Sequence, residues 1–167
     1  MMGHGHATMG AAGWVALSAT TTGALGVIPM SPAEVAAGAV VTAGAALLPD
    51  ADHHNGTIAH SLPPVSTVIT RAVGQASGGH RHGTHSLLGV LAAFALAWLL
   101  APVRLDLPWG LHDDFQFGAW LLIVLMVSFA AKALRITRGW RTSWAVAVGA
   151  GTAAVWFAPE QLWWLPL

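Results

Sequence analysis

Apolar residues in this chain come in long unbroken runs rather than in alternation. No Asp, Glu, Lys or Arg precedes Glu34. Inside that stretch, residues 10–28 are rich in Ala, Gly and Thr and long enough for a helix. Pro29 and Pro32 then break the chain. Pro32 suits the first turn of a second helix, where a missing N–H costs nothing. That helix is expected over residues 33–48, ending at Pro49. At 1.5 Å per residue it spans about 24 Å, short of the roughly 30 Å hydrocarbon core of a bilayer. Further apolar runs predict helices over 86–101, stopped by Pro102, over 115–131 and over 143–157.

The polar stretches lie between these runs. Residues 50–85 read as a polar loop with a short amphipathic piece from Val65 to Ala76. Residues 103–114 read as a connector. The tail PEQLWWLPL places two tryptophans where an interfacial anchor would sit. The expected fold class is all-α: a polytopic membrane helix bundle of about five transmembrane helices with a polar 50–85 loop, one membrane domain over 1–167.

Composition supports the membrane reading. Only 8% of residues are charged and 55% are hydrophobic, whereas a soluble domain carries roughly 25% charged residues. Zero net charge gives no reason to expect nucleic-acid binding. The absence of cysteine removes disulfides and thiolate zinc sites. The first residues include His4 and His6 but no Lys or Arg, so the first run is expected to be retained rather than cleaved as a signal peptide. If all five helices span, Arg71, Arg81, Lys132, Arg135, Arg138 and Arg141 share one face. Arg104 is then the single basic residue on the other, and the positive-inside rule makes the basic face cytoplasmic.

Nine histidines against seven acidic residues make histidine the side chain to explain. Three polar clusters fall on the basic face, each at a helix end: GHGH near the N-terminus, PDADHH after the second helix, and GHRHGTHS before the third. Carboxylate oxygen and imidazole nitrogen together suit zinc, manganese or iron. Taken singly, each cluster also fits a polar loop or helix terminus. In HRHGTHS, two of the three histidines are expected to be ligands, and Thr84 is the expected N-cap of the third helix, with His85 in its first turn. Six candidates, His6, Asp50, Asp52, His53, His80 and His85, would suffice for one metal ion and could serve two. His54 and His60 read as loop residues. His112 falls on the opposite face.

Leu48 to His53, LPDADH, followed by His80-Arg81-x-x-Thr84-His85-Ser86, resembles the YdjM-like family of inner-membrane, metal-dependent hydrolases. His6, just ahead of a glycine-rich first helix, fits the same pattern. The resemblance covers roughly the first hundred residues. It implies a multi-pass protein of the bacterial cytoplasmic (inner) membrane with a His/Asp metal site at those six positions. It further implies that Arg81 and Thr84 support the site, and it leaves His82 at a variable position. The family pattern also carries a His and an Asp in a later helix. Here the last histidine is His112, so truncation at the C-terminus is one expectation.

The function expected is a metal-dependent hydrolase at the cytoplasmic membrane face, using a divalent metal, zinc or manganese. A lipid or lipid-linked ester or phosphoester is the expected substrate, and membrane lipid the expected partner. Asp52 and Arg81 are the candidate catalytic residues: Asp52 as a base if it is not a ligand, Arg81 as a bidentate phosphate contact. The alternative is a non-catalytic metal-binding membrane protein.

Overall fold

The computed structural model describes residues 2–21, 24–78, 83–107, 112–162 and 164–165. The chain is mostly helical. Among the described residues α1 spans Met2–Ser18, α2 Pro32–Ala45, α3 Val65–Ala76, α4 Leu87–Leu100, α5 Phe117–Ala133 and α6 Trp140–Phe157. A small antiparallel hairpin, β1 (Leu105–Leu107) with β2 (His112–Phe115), joins α4 to α5 and pairs Leu105 with Phe115.

The first helix begins eight residues earlier than its hydrophobic run and ends ten earlier. Thr20, Thr21 and Gly26 follow its end, and β-branched residues and glycine are poor helix formers. The chain instead doubles back and satisfies the open carbonyls of α1. Leu25 N–H donates to Ala16 O at 2.7 Å and Ile28 N–H to Leu17 O at 3.1 Å. At the other end, packing carries the helix through GHGH. Ala7 is fully buried with Leu47 and Ala43.

α2 starts with a capping box: Ser31 Oγ accepts from Glu34 N–H, and the Glu34 carboxylate accepts from Ser31 N–H at 2.9 Å. Pro32 occupies the first helical turn, as expected. The helical stretch Pro32–Asp52, 21 residues, is long and apolar enough to cross a membrane by length and composition. It is the one such stretch among the described residues; α4 and α5 are shorter apolar helices. Five spans therefore do not follow from helix length alone.

Close contacts fix the directions. Gly3 lies against Leu47, and Trp14 packs over Gly38, so α1 and α2 are antiparallel. A Cβ at Gly44 would collide with the carbonyl oxygen of Met126, so α2 and α5 meet backbone to backbone. α5 and α6 are antiparallel: Trp120 Nε1 donates to Thr152 Oγ1 at 3.2 Å near one end, and Ser143 Oγ donates to Thr137 Oγ1 at 2.9 Å beyond the other. One core cluster, around Trp14, Phe115, Leu122, Ile123 and Trp164, fills the end of the bundle near the hairpin. A second, around Ala7, Leu47, Ile58, Phe129 and Ala133, fills the opposite end.

Two segments depart from the expected pattern. α4 is apolar throughout and has no buried residue. It is held at its ends, where its first turn adjoins Gly83 and Thr84 and its last carbonyls crowd Gly118 of α5. By contrast, the first part of the polar 50–85 stretch is folded inward. Two short 3-10 helices, Leu48–Asp52 and Ile58–His60, lead into α3. Ser61, Leu62, Ser66 and Thr70 are all buried. Leu62 packs with Val124 and Ala147, and Val124 is the eighth of the 17 residues of α5. The segment thus reaches the mid-height of the bundle. Its hydroxyls satisfy its own backbone: Ser66 Oγ accepts from Leu62 N–H and donates to Ala59 O, both at 3.0 Å. Trp144 Nε1 donates to Pro63 O at 3.2 Å and ties the segment to α6.

Candidate metal centre

The site is built at the end of the bundle where α1 begins and α2 finishes. Beyond Leu47 the chain cannot extend the α-helical ladder through Pro49, which has no N–H. It closes 3-10 bonds instead, from Asp50 N–H to Leu47 O (2.9 Å) and from His53 N–H to Asp50 O (3.1 Å). With three residues per turn, neighbouring side chains leave about 120° apart. Asp52 is therefore buried, at 6% exposure, while Asp50 keeps part of its carboxylate accessible. α3 backs the turn: a Cβ on Gly74 would stand 2.9 Å from the Asp52 carbonyl oxygen. A larger residue there would push α3 off the turn that carries both aspartates.

The second strand of the site comes from the start of α4. Ser86, not Thr84, caps this helix: its Oγ accepts from Gly89 N–H at 3.1 Å and donates to Gly83 O at 2.6 Å. His85 therefore stands just ahead of the cap rather than in the first turn. A serine directly before the run LLGV was the better capping signal. Thr84 Oγ1 lies 3.4 Å from His85 Nδ1, and His85 Nε2 lies 3.4 Å from Asp50 Oδ1. One ring nitrogen faces a hydroxyl while the other faces the carboxylate, the arrangement by which an outer group orients an imidazole.

The other sequence candidates have surroundings of their own. His53 Nδ1 accepts from Asn55 N–H at 3.2 Å, and its ring stacks on His54 at 5.8 Å between centroids. His54 reads from the sequence only as a loop residue, and Asn55 belongs to no motif. His6 is half-buried on α1, at the same end of the bundle, between the contacts of Gly3 with Thr57 and of Gly10 with Ala46. His80 and Arg81 lie outside the described residues, as does His82. Among the described residues no group of three or more His, Asp or Glu is gathered closely enough to hold a metal ion. The pair Asp50–His85 is what the described structure brings together.

The donor chemistry of that pair fits a divalent metal. It supplies two donors 3.4 Å apart. One carboxylate oxygen and one imidazole nitrogen are acceptable to zinc or manganese.

No curated protein and no solved structure matches this chain. The family described as YdjM inner membrane protein matches residues 1–155 of the 167, a stretch that contains every candidate ligand. The chain therefore belongs to the YdjM inner membrane protein family and is a membrane protein.

Proposed function

We propose that this protein is a multi-pass protein of the bacterial inner membrane, with α1, α2, α4, α5 and α6 crossing the bilayer, and that it is a metal-dependent hydrolase. The observation that carries the reading is the convergence of Asp50 and His85, 35 positions apart in sequence, to 3.4 Å at one end of the bundle. Asp50 and His85 would hold a zinc or manganese ion. His6, Asp52, His53 and His80 are the residues that would complete its shell. A zinc ion bound there would supply water acidified to a pKa of about 7.

The protein's own residues have defined tasks. Thr84 orients the His85 ring, and Gly74 lets α3 support the turn of Asp50 and Asp52. Asp52 is the proton acceptor if it does not bind the metal, and Arg81 is the phosphate contact, since a guanidinium can grip two oxygens at once. The site stands at the end of the bundle that also carries Lys132, just before the end of α5, and the loop with Arg135 and Arg138. Such cations favour the cytoplasmic side and anionic headgroups. A lipid or lipid-linked ester or phosphoester is accordingly the proposed substrate.

The test is metal content of the detergent-purified protein by mass spectrometry, beside an Asp50→Ala/His85→Ala double variant. The expected outcome is near-stoichiometric zinc or manganese in the parent and loss of most of it in the variant. Equal metal in both would overturn the site. Metal retained by the parent without hydrolysis of a panel of phosphoesters and esters would leave a metal-binding protein and remove the hydrolase.

A further inference from the structure

The end of the bundle away from Asp50 and His85 carries a separate cavity of about 490 Å³. It is an open groove rather than an enclosed cavity. Its walls come from the end of α4, the segment before β1, the start of α5 and the 3-10 helix Pro159–Leu162. Trp98, Leu99, Leu162 and Leu165 make it mainly apolar, and Arg104 and Glu160 stand on it with opposite charge. Trp98 and Leu99 are also more than half exposed, so the apolar wall continues onto the outer surface of α4.

The charge arrangement selects among amphiphiles. Arg104 Nη1 donates to Asp114 Oδ2 at 2.8 Å, which engages one of the five donors of the guanidinium. The remaining donors suit a phosphate. Glu160, on the same cavity, suits a group that is positive and can donate hydrogen bonds. With one cation among these carboxylates, an anionic headgroup gains at Arg104 and loses at Glu160 and Asp114. A zwitterion gains at both. A primary ammonium has three N–H donors for the carboxylate, whereas a quaternary one has none.

We propose that this cavity binds a zwitterionic phospholipid with a primary amine, its phosphate on Arg104, its ammonium on Glu160 and one acyl chain along Trp98 and Leu99. It is distinct from the Asp50–His85 end and needs no metal. The proposal rests on the membrane location given by the family and not on the hydrolase reading.

The experiment is native mass spectrometry of the full chain released from nanodiscs holding equal amounts of phosphatidylethanolamine, phosphatidylcholine and phosphatidylglycerol. Phosphatidylethanolamine is expected to be retained about three- to five-fold over each of the others, the scale of one partly exposed charged contact. Glu160→Gln, an exposed and conservative change, should abolish that preference while total lipid retention persists. Arg104→Gln should lower retention of all three. Equal retention of the three lipids by the parent protein would overturn the proposal, as would a preference that survives Glu160→Gln.

Discussion

α4 and the segment of residues 58–76 exchange the roles that water would assign them. α4 is made of Leu, Ala, Val, Phe and Trp and buries no residue; Leu87 and Leu88 are about three-quarters exposed. The 58–76 segment carries serines and threonines and places Ser61, Ser66 and Thr70 out of contact with solvent. In water the first would waste roughly 25 cal/mol for each Å² of apolar surface left uncovered. In hydrocarbon that cost vanishes, and the demand falls on the backbone, whose every polar group must find an internal partner. Irregular backbone at mid-height is tolerated in that setting only when protein surrounds it. The segment meets this condition through its own hydroxyls and through Trp144. If α4 faces lipid, the two regions obey one rule, applied to different solvents.

Placing a charge on the exposed face of α4 tests that comparison with the largest expected effect. Leu91→Asp should cost about 2.5–3.5 kcal/mol if α4 faces lipid, and should reduce the yield of membrane-inserted protein sharply. An unchanged yield and melting temperature in nanodiscs would place the helix in water. Next in size is Ser66→Ala. It removes the acceptor for the buried Leu62 N–H, a loss of about 1–3 kcal/mol, and is expected to lower the melting temperature without altering insertion of α4. The smallest effect sharpens the link to α6. Trp144→Phe keeps a ring but removes the N–H to Pro63 O, about 1 kcal/mol, and should raise hydrogen exchange in residues 58–66 more than in α5.

How much of this was written in the sequence differs by region. The ends of α4, α5 and α6 follow apolar runs closely, because an uninterrupted apolar run bounded by proline or polar residues is itself the helix signal. The start of α1 does not: GHGH has low helix propensity, and Ala7 packing on α2 decides the matter. Nor was the burial of 58–76 legible, since composition shows polar residues but not that Ser66 and Thr67 spend their hydroxyls on Ala59 O. In the candidate site, Asp50 and His85 are both placed at helix ends by the sequence, and they stand 3.4 Å apart. The distinct surroundings of His53 are not legible there, because they depend on the short turn to Asn55.

The hydrogen bond from Trp144 to Pro63 joins residues 81 positions apart. At 5–20 residues per second, roughly 4–16 s of synthesis separate the two partners. By then Asp50, His85 and the whole of α4 have already been made. Until α5 and α6 supply Val124, Ala147 and Trp144, the segment has only its own hydroxyl bonds and its packing on the ends of α1 and α2 to hold it. The contacts that close over the inner segment are therefore the last of its contacts to be synthesised.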